Sequence, residues 1–198
     1  MIAIFDYGSG NLRSAHRAFA NSGEKVTVTS DVNEAKRAKG LVIPGVGAFA
    51  ACMAQLIRAG GDELIRDRAQ AGNPILGVCV GLQILFEASD EKGTHSGLGL
   101  LSGSVSKIAN KILPHIGWNT VKVDSGSRLF TGIENSSFYF VHSYAAKVKV
   151  PSAINTTSEY GETFIAAVEN GNVSGTQFHP EKSGAAGLKL ISNWLKTL

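Results

Sequence analysis

The sequence predicts an α/β fold: a mixed, largely parallel central sheet flanked by helices, with added antiparallel strands. Two observations carry this. Up to residue 86, short apolar runs (2–5, 41–43 and 75–78) alternate with stretches of helical periodicity, the order that builds a parallel sheet covered on both faces. From Leu98 onward, strand-like segments follow one another with only turn residues between them, an antiparallel pattern.

Ile2–Phe5 is uniformly apolar and reads as a buried first strand, with 6–11 as the loop after it. Leu12, Ala15 and Phe19 then share one helical face, and Gly23 ends that helix. Residues 25–29 alternate as a second strand, and 33–39 form a short polar helix that carries the chain to a third buried strand at 41–43. That strand runs through Pro44-Gly45-Val46-Gly47 into a helix bearing Phe49, Cys52, Met53 and Leu56. Residues 75–78 form a fourth strand, after which Leu82, Leu85 and Phe86 recur at helical spacing. Further strands are expected at 103–109, 118–124, 138–148, 153–157, 164–169 and 173–178. Leu188, Ile191, Trp194 and Leu195 mark the apolar side of a final helix. No linker or repeat interrupts the 198 residues, so one domain over 1–198 is expected.

Composition excludes several classes. A net charge of +3, scattered along the chain, does not argue for nucleic acid. Two cysteines, Cys52 and Cys79, cannot build a disulfide framework, and no Cys or His cluster has zinc-ligand spacing. A reducing compartment, no metal and no cofactor are therefore expected. No stretch has membrane-spanning length and no basic segment precedes a long apolar one, so a cytoplasmic protein without a membrane partner is expected. The Gly8-Ser9-Gly10 segment lacks both the third glycine of a dinucleotide site and the Lys-Ser/Thr of a P-loop, which leaves a plain turn.

The chemistry concentrates where the fourth strand meets its helix. Gly77-Val78-Cys79-Val80-Gly81 is the nucleophile-elbow pattern with cysteine at its centre, and it pushes the thiol out at the end of a sheet. A helix N-terminus at that point favours the thiolate. In such an enzyme one oxyanion donor is the N–H after the nucleophile, here Val80, and the second comes from another strand-helix loop. Gly45, Val46 and Gly47 supply that loop, whose other reading is an ordinary glycine turn. Near the end, His179 follows a strand and Glu181 stands two residues on, completing a nucleophile, base and orienting carboxylate. Cys52 reads as core and His16 as a surface or half-buried residue. His115 and His142 are not read as catalytic.

With these residues in place, the chain resembles the triad (class I) glutamine amidotransferases, whose hallmarks look like 77–83 and Phe178-His179-Pro180-Glu181. The resemblance covers essentially the whole chain. Segments 6–12, 44–47, 113–119, 140–144 and 179–183 are similar to the glutaminase subunits of histidine biosynthesis. What it implies is glutamine hydrolysis through a Cys79 thioester, with Gln83, Ser143 and Tyr144 contacting the substrate. It also implies a heterodimer with a (β/α)8-barrel cyclase, which uses the ammonia to make imidazole glycerol phosphate and aminoimidazole carboxamide ribonucleotide. Asn11, Trp118 and Lys182 would face that partner. Trp118 packed in the core and Lys182 merely solvated are the competing readings of those two residues. At the level of the whole chain the competitors are a glutaminase of another pathway, such as pyridoxal phosphate synthesis, a free-standing cysteine hydrolase or peptidase, and a non-catalytic protein that kept the fold.

Overall fold

The computed structural model describes residues 1–198. The chain runs β1 (Ile2–Phe5), α1 (Leu12–Ala20), β2 (Val26–Thr29), α2 (Val32–Arg37), β3 (Gly40–Gly45), α3 (Phe49–Arg58), α4 (Gly61–Gln70), β4 (Ile75–Cys79) and a single turn, α5 (Val80–Gln83). It continues through β5 (Phe86–Ser89), β6 (His95–Ser96), β7 (Leu101–Lys107), β8 (His115–Thr120), β9 (Ser137–His142) and β10 (Tyr144–Ala146). Strands β11 (Ile154–Glu159), β12 (Thr163–Asn170) and β13 (Val173–Thr176) precede a 3₁₀ turn (Pro180–Lys182) and α6 (Gly184–Leu195).

The main sheet has the order β11-β12-β13-β4-β3-β1-β2. Its members from β13 to β2 are parallel, while β11 and β12 add antiparallel pairs at one edge. Strands β1, β3 and β4 are buried along their whole length, which is why they read as continuous apolar runs. Register decides where the chemistry falls: Gly45 lies opposite Cys79, and Thr176 opposite Val78. The carboxyl ends of β3, β4 and β13 therefore lie side by side, the usual place for a ligand in such a sheet. Smaller sheets, β10-β7-β5-β6 and the β8–β9 ribbon, stand beside that end. No helix is long and apolar enough to cross a membrane.

Several elements differ from expectation. Leu85 and Phe86 do not extend the helix after Cys79: α5 stops at Gln83, and Phe86 opens β5. Residues 80–86 are all buried, so the run carries no one-sided periodicity to separate helix from strand. The strand expected at 118–124 is His115–Thr120, and the one at 138–148 breaks at Ser143 into β9 and β10. Within the second half β13 runs parallel to β4, although its other neighbour, β12, is antiparallel. Leu188 is 39% exposed and is not on the packed side of α6.

Helix α4 was not expected as a separate element, since Leu64 and Ile65 are its only large apolar residues facing inward. Its one charged inward residue is Arg68, whose side chain is fully buried. Arg68 donates to the carbonyls of Ala35, Lys36, Ala38, Lys39 and Pro74 at 2.9–3.3 Å, collecting the end of α2 and the approaches to β3 and β4. Arg68→Met keeps the volume and takes the donor from the carbonyls of Lys36, Ala38 and Lys39, while those of Ala35 and Pro74 still accept from the N–H groups of Ala38 and Leu41. At about 1–3 kcal/mol for an unsatisfied buried group, we expect a loss of about 3 kcal/mol. That corresponds to a melting temperature lower by roughly 6–12 °C, read by calorimetry. A shift within 2 °C, about 0.5–1 kcal/mol on that scale, would refute this role.

Candidate active site

The elbow exists because two close approaches admit only glycine. A Cβ on Gly77 would lie 2.5 Å from the Gly81 carbonyl oxygen, and one on Gly81 would lie 1.8 Å from the Ile43 oxygen. Between them Cys79 adopts φ 58° and ψ −114°, a conformation rare for a residue with a side chain and held only by its surroundings. The thiol is not held out on the surface as the pattern implies. Cys79 is buried, and it lines the floor of a cleft of about 300 Å³. That volume is near the lower end for small-molecule sites, ~300–1,000 Å³. The expected helix-dipole effect also shrinks, because α5 is a single four-residue turn.

His179 supplies the charge instead. It follows β13, lines the same cleft as Cys79, and its Nδ1 lies 2.7 Å from Glu181 Oε1. Burial opposes its protonation, but the neighbouring Cys79 and Glu181 outweigh that and push its pKa up to about 10. Its backbone is clamped by the β8–β9 ribbon. His179 N–H donates to Tyr139 O (2.9 Å), Tyr139 N–H donates to Ser183 Oγ (3.0 Å), and Ser183 Oγ donates to His179 O (2.7 Å). The structure thus brings Cys79, His179 and Glu181 together as the sequence implies.

Gln83, Ser143 and Tyr144 also line the cleft. Gln83 is buried, and its amide nitrogen donates to Tyr144 O (2.8 Å) and Gln177 Oε1 (3.0 Å). Both of its hydrogens are committed, so it can offer a ligand only its carbonyl oxygen. Val80, Val46 and Gly47 line the cleft as well, whereas Gly45 is inside β3. The Val46 N–H is not directed at a ligand: it donates to Ser9 Oγ at 3.1 Å. Ser9 Oγ in turn donates to Val46 O (3.0 Å), which also accepts from Cys52 Sγ (3.2 Å). Cys52 is core, as expected, and it also helps to hold this loop.

Of the residues expected to face a partner, Trp118 is 58% exposed and Ile116 beside it on β8 is 60% exposed. Trp118 packs edge-on to Tyr139, with ring centroids 6.0 Å apart. Core packing is excluded for Trp118. Lys182 is exposed at the cleft mouth and makes no ion pair within the chain. Asn11 is exposed and caps α1, its Oδ1 accepting from Ser14 N. Sequence reasoning missed Glu91, a carboxylate that lines the cleft and accepts from Phe49 N–H at 2.7 Å. It also missed Gln177, whose Nε2 lies 3.8 Å from Cys79 Sγ. Glu91 belongs to no local motif; Gln177 stands directly before the Phe178-His179-Pro180-Glu181 hallmark, a position that could have drawn notice, but its approach to the sulfur follows from the pairing of β13 with β4.

The proton on His179 sets a pH dependence. Its folded pKa lies above the unfolded value of about 6.5, so the stability it contributes is fully present below pH 6.5 and is lost as pH rises through about 10. We expect wild type to lose its melting-temperature advantage over His179→Asn between pH 7 and pH 10. Parallel profiles for the two proteins would place the charge elsewhere.

Comparisons with known proteins bear on the family and the fold. A family model described as glutamine amidotransferase class-I matches residues 3–198. The imidazole glycerol phosphate synthase subunit HisH of Bifidobacterium longum is 49% identical, with 98% of each chain covered. The protein of the same name from Mycobacterium bovis is 50% identical, covering 100% of this chain and 98% of that one. A solved structure titled as a glutamine amidotransferase superposes with a TM-score of 0.79 at 18% identity, covering 98% of this chain and 97% of the other, a likeness of fold.

Proposed function

The chain belongs to the class-I glutamine amidotransferases, and from that premise we propose that it is the glutaminase subunit of imidazole glycerol phosphate synthase. The observation that carries the chemistry is the Cys79–His179–Glu181 constellation at the floor of a cleft of amino-acid size. In this reading the Cys79 thiolate attacks the γ-carbonyl of glutamine, and the tetrahedral oxyanion is met by the Val80 N–H. His179, oriented by Glu181, protonates the departing ammonia and then takes a proton from the water that opens the thioester. Glu91 and the Gln83 carbonyl supply negative character for the α-ammonium group, with Ser143 and Tyr144 at the amino-acid end. No cofactor or metal enters these steps.

Ammonia must reach its acceptor unprotonated, which requires a partner over the site. We assign that role to a (β/α)8-barrel cyclase in a heterodimer. The exposed Ile116 and Trp118, on one face of a ribbon hydrogen-bonded to the His179 backbone, support this, since aromatic residues are enriched in interface cores. Lys182 lines the same opening, whereas Asn11 lines a small separate cavity with His179 and Glu181. The test uses the complex. Cys79→Ala abolishes glutamine-dependent product formation, while added ammonia sustains it and calorimetry gives an unchanged affinity for the cyclase. Trp118→Ala weakens that affinity by about 2 kcal/mol, in the range of interface aromatics. Near-normal glutamine hydrolysis by the Cys79→Ala complex would falsify the triad assignment.

The second oxyanion donor is withheld in the chain on its own, because Val46 N–H is bound to Ser9. We propose that partner binding rotates this peptide toward the cleft, which the Cβ-free neighbours Gly45 and Gly47 permit. One such donor accounts for roughly 10²–10³ in rate. Ser9→Ala therefore raises glutaminase turnover of the isolated chain severalfold, and Val46→Pro, which lacks the N–H, lowers partner-stimulated turnover with little change in glutamine binding. Unchanged turnover in both variants rules out this peptide as the switch.

A further inference from the structure

Two buried histidines beside the cleft take no part in the triad. His142 lines the cleft wall next to Ser143 and Tyr144, and His115 is its register partner across the β8–β9 ribbon. The hydrogen positions of this pair follow from what each atom faces. A carbonyl oxygen only accepts, so His142 Nδ1, 3.1 Å from Tyr144 O, carries a hydrogen. Burial keeps His142 neutral, reinforced by the neighbouring His115 and the imidazolium of His179, and its pKa falls to about 3 in spite of the bond to Tyr144. A neutral ring with Nδ1–H has a bare Nε2, which must accept from His115 Nδ1 at 3.2 Å. His115, also kept from protonation by burial, is held in plane by stacking on Tyr160 (centroids 4.0 Å apart, planes at 11°) and on Phe140 (5.1 Å, 16°).

The endpoint of this relay is the Tyr144 carbonyl. It accepts from both His142 and Gln83, and the second amide hydrogen of Gln83 goes to Gln177, whose own amide faces the Cys79 sulfur. One backbone oxygen thus anchors the turn at Ser143–Tyr144 and orients the Gln83 side chain. We propose that His142, oriented by His115, is a positioning residue for glutamine: it fixes the Tyr144 peptide and, through it, the surface that receives the amino-acid end of the substrate. This rests on the glutaminase reading. It assigns the pair to substrate affinity rather than to bond breaking.

The experiment is steady-state glutamine hydrolysis by the complex with its cyclase. His142→Leu removes the donor and is expected to raise KM for glutamine about tenfold or more, with kcat within about threefold of wild type. His142→Asn places an amide N–H near the position of Nδ1 and is expected to recover most of the loss. Alkylation of Cys79 by iodoacetamide, which has no amino-acid end to position, stays at the wild-type rate in both variants. His115→Phe retains an aromatic ring to stack and removes the upstream donor; a KM rise of about threefold is expected there, and this variant carries the test if His142→Leu does not fold. An unchanged KM in His115→Phe, an Asn variant no better than Leu, or a loss confined to kcat would each overturn the positioning role. A wild-type complex that leaves glutamine intact would overturn the glutaminase reading, and this proposal with it, whereas intact wild-type activity beside an unmoved KM in the variants would overturn the proposal alone.

Discussion

The active centre depends on one backbone conformation, the positive φ of Cys79. L-residues avoid that region, and a strain of about 1–3 kcal/mol persists only when neighbouring structure leaves the chain no alternative. Here the constraint is the contact of α5 with β3. The Gly81 peptide lies against Ile43 and Pro44, and a Cβ on Gly45 would come within 2.5 Å of Gly81 N. The turn that aims the nucleophile and the loop expected to complete its oxyanion site are therefore packed backbone to backbone. Neither can move without the other sensing it.

Around that turn the fold maintains the His179–Glu181 pair and keeps His115, His142 and Tyr7 neutral. His179 keeps its proton because the neighbouring Cys79 and Glu181 overcome burial. His142 and His115 are depressed by burial, and the same cause raises Tyr7, whose hydroxyl donates to Pro44 O at 2.5 Å. A second cation beside His179 would compete for Glu181. Neutral neighbours avoid that competition, and each serves as a directional hydrogen-bond donor.

The β8–β9 ribbon joins surface to centre. Its outward residues include Ile116 and Trp118, and its inward residues include His115, Phe140 and His142. Tyr139, packed on Trp118, shares backbone hydrogen bonds with His179 and Ser183. A protein docked on the outer face would rest directly on the element that holds both the catalytic histidine and the substrate wall.

Much of this was legible in the sequence because it is local. Buried parallel strands appear as apolar runs, the elbow as two glycines flanking a cysteine, and the orienting carboxylate two residues after its histidine; each feature is set by neighbours along the chain. Periodicity failed where burial is all-round, as at Ile84–Phe86, and where a charged residue does the packing, as at Arg68. Only the tertiary structure decided the pairings across long separations. Ser9 with Val46 spans 37 residues, Phe49 with Glu91 spans 42, and Gln177 with Cys79 spans 98. A side chain's type says what it can bond to, but which atom comes within 3 Å of it follows from strand order and register, and those are properties of the whole sheet.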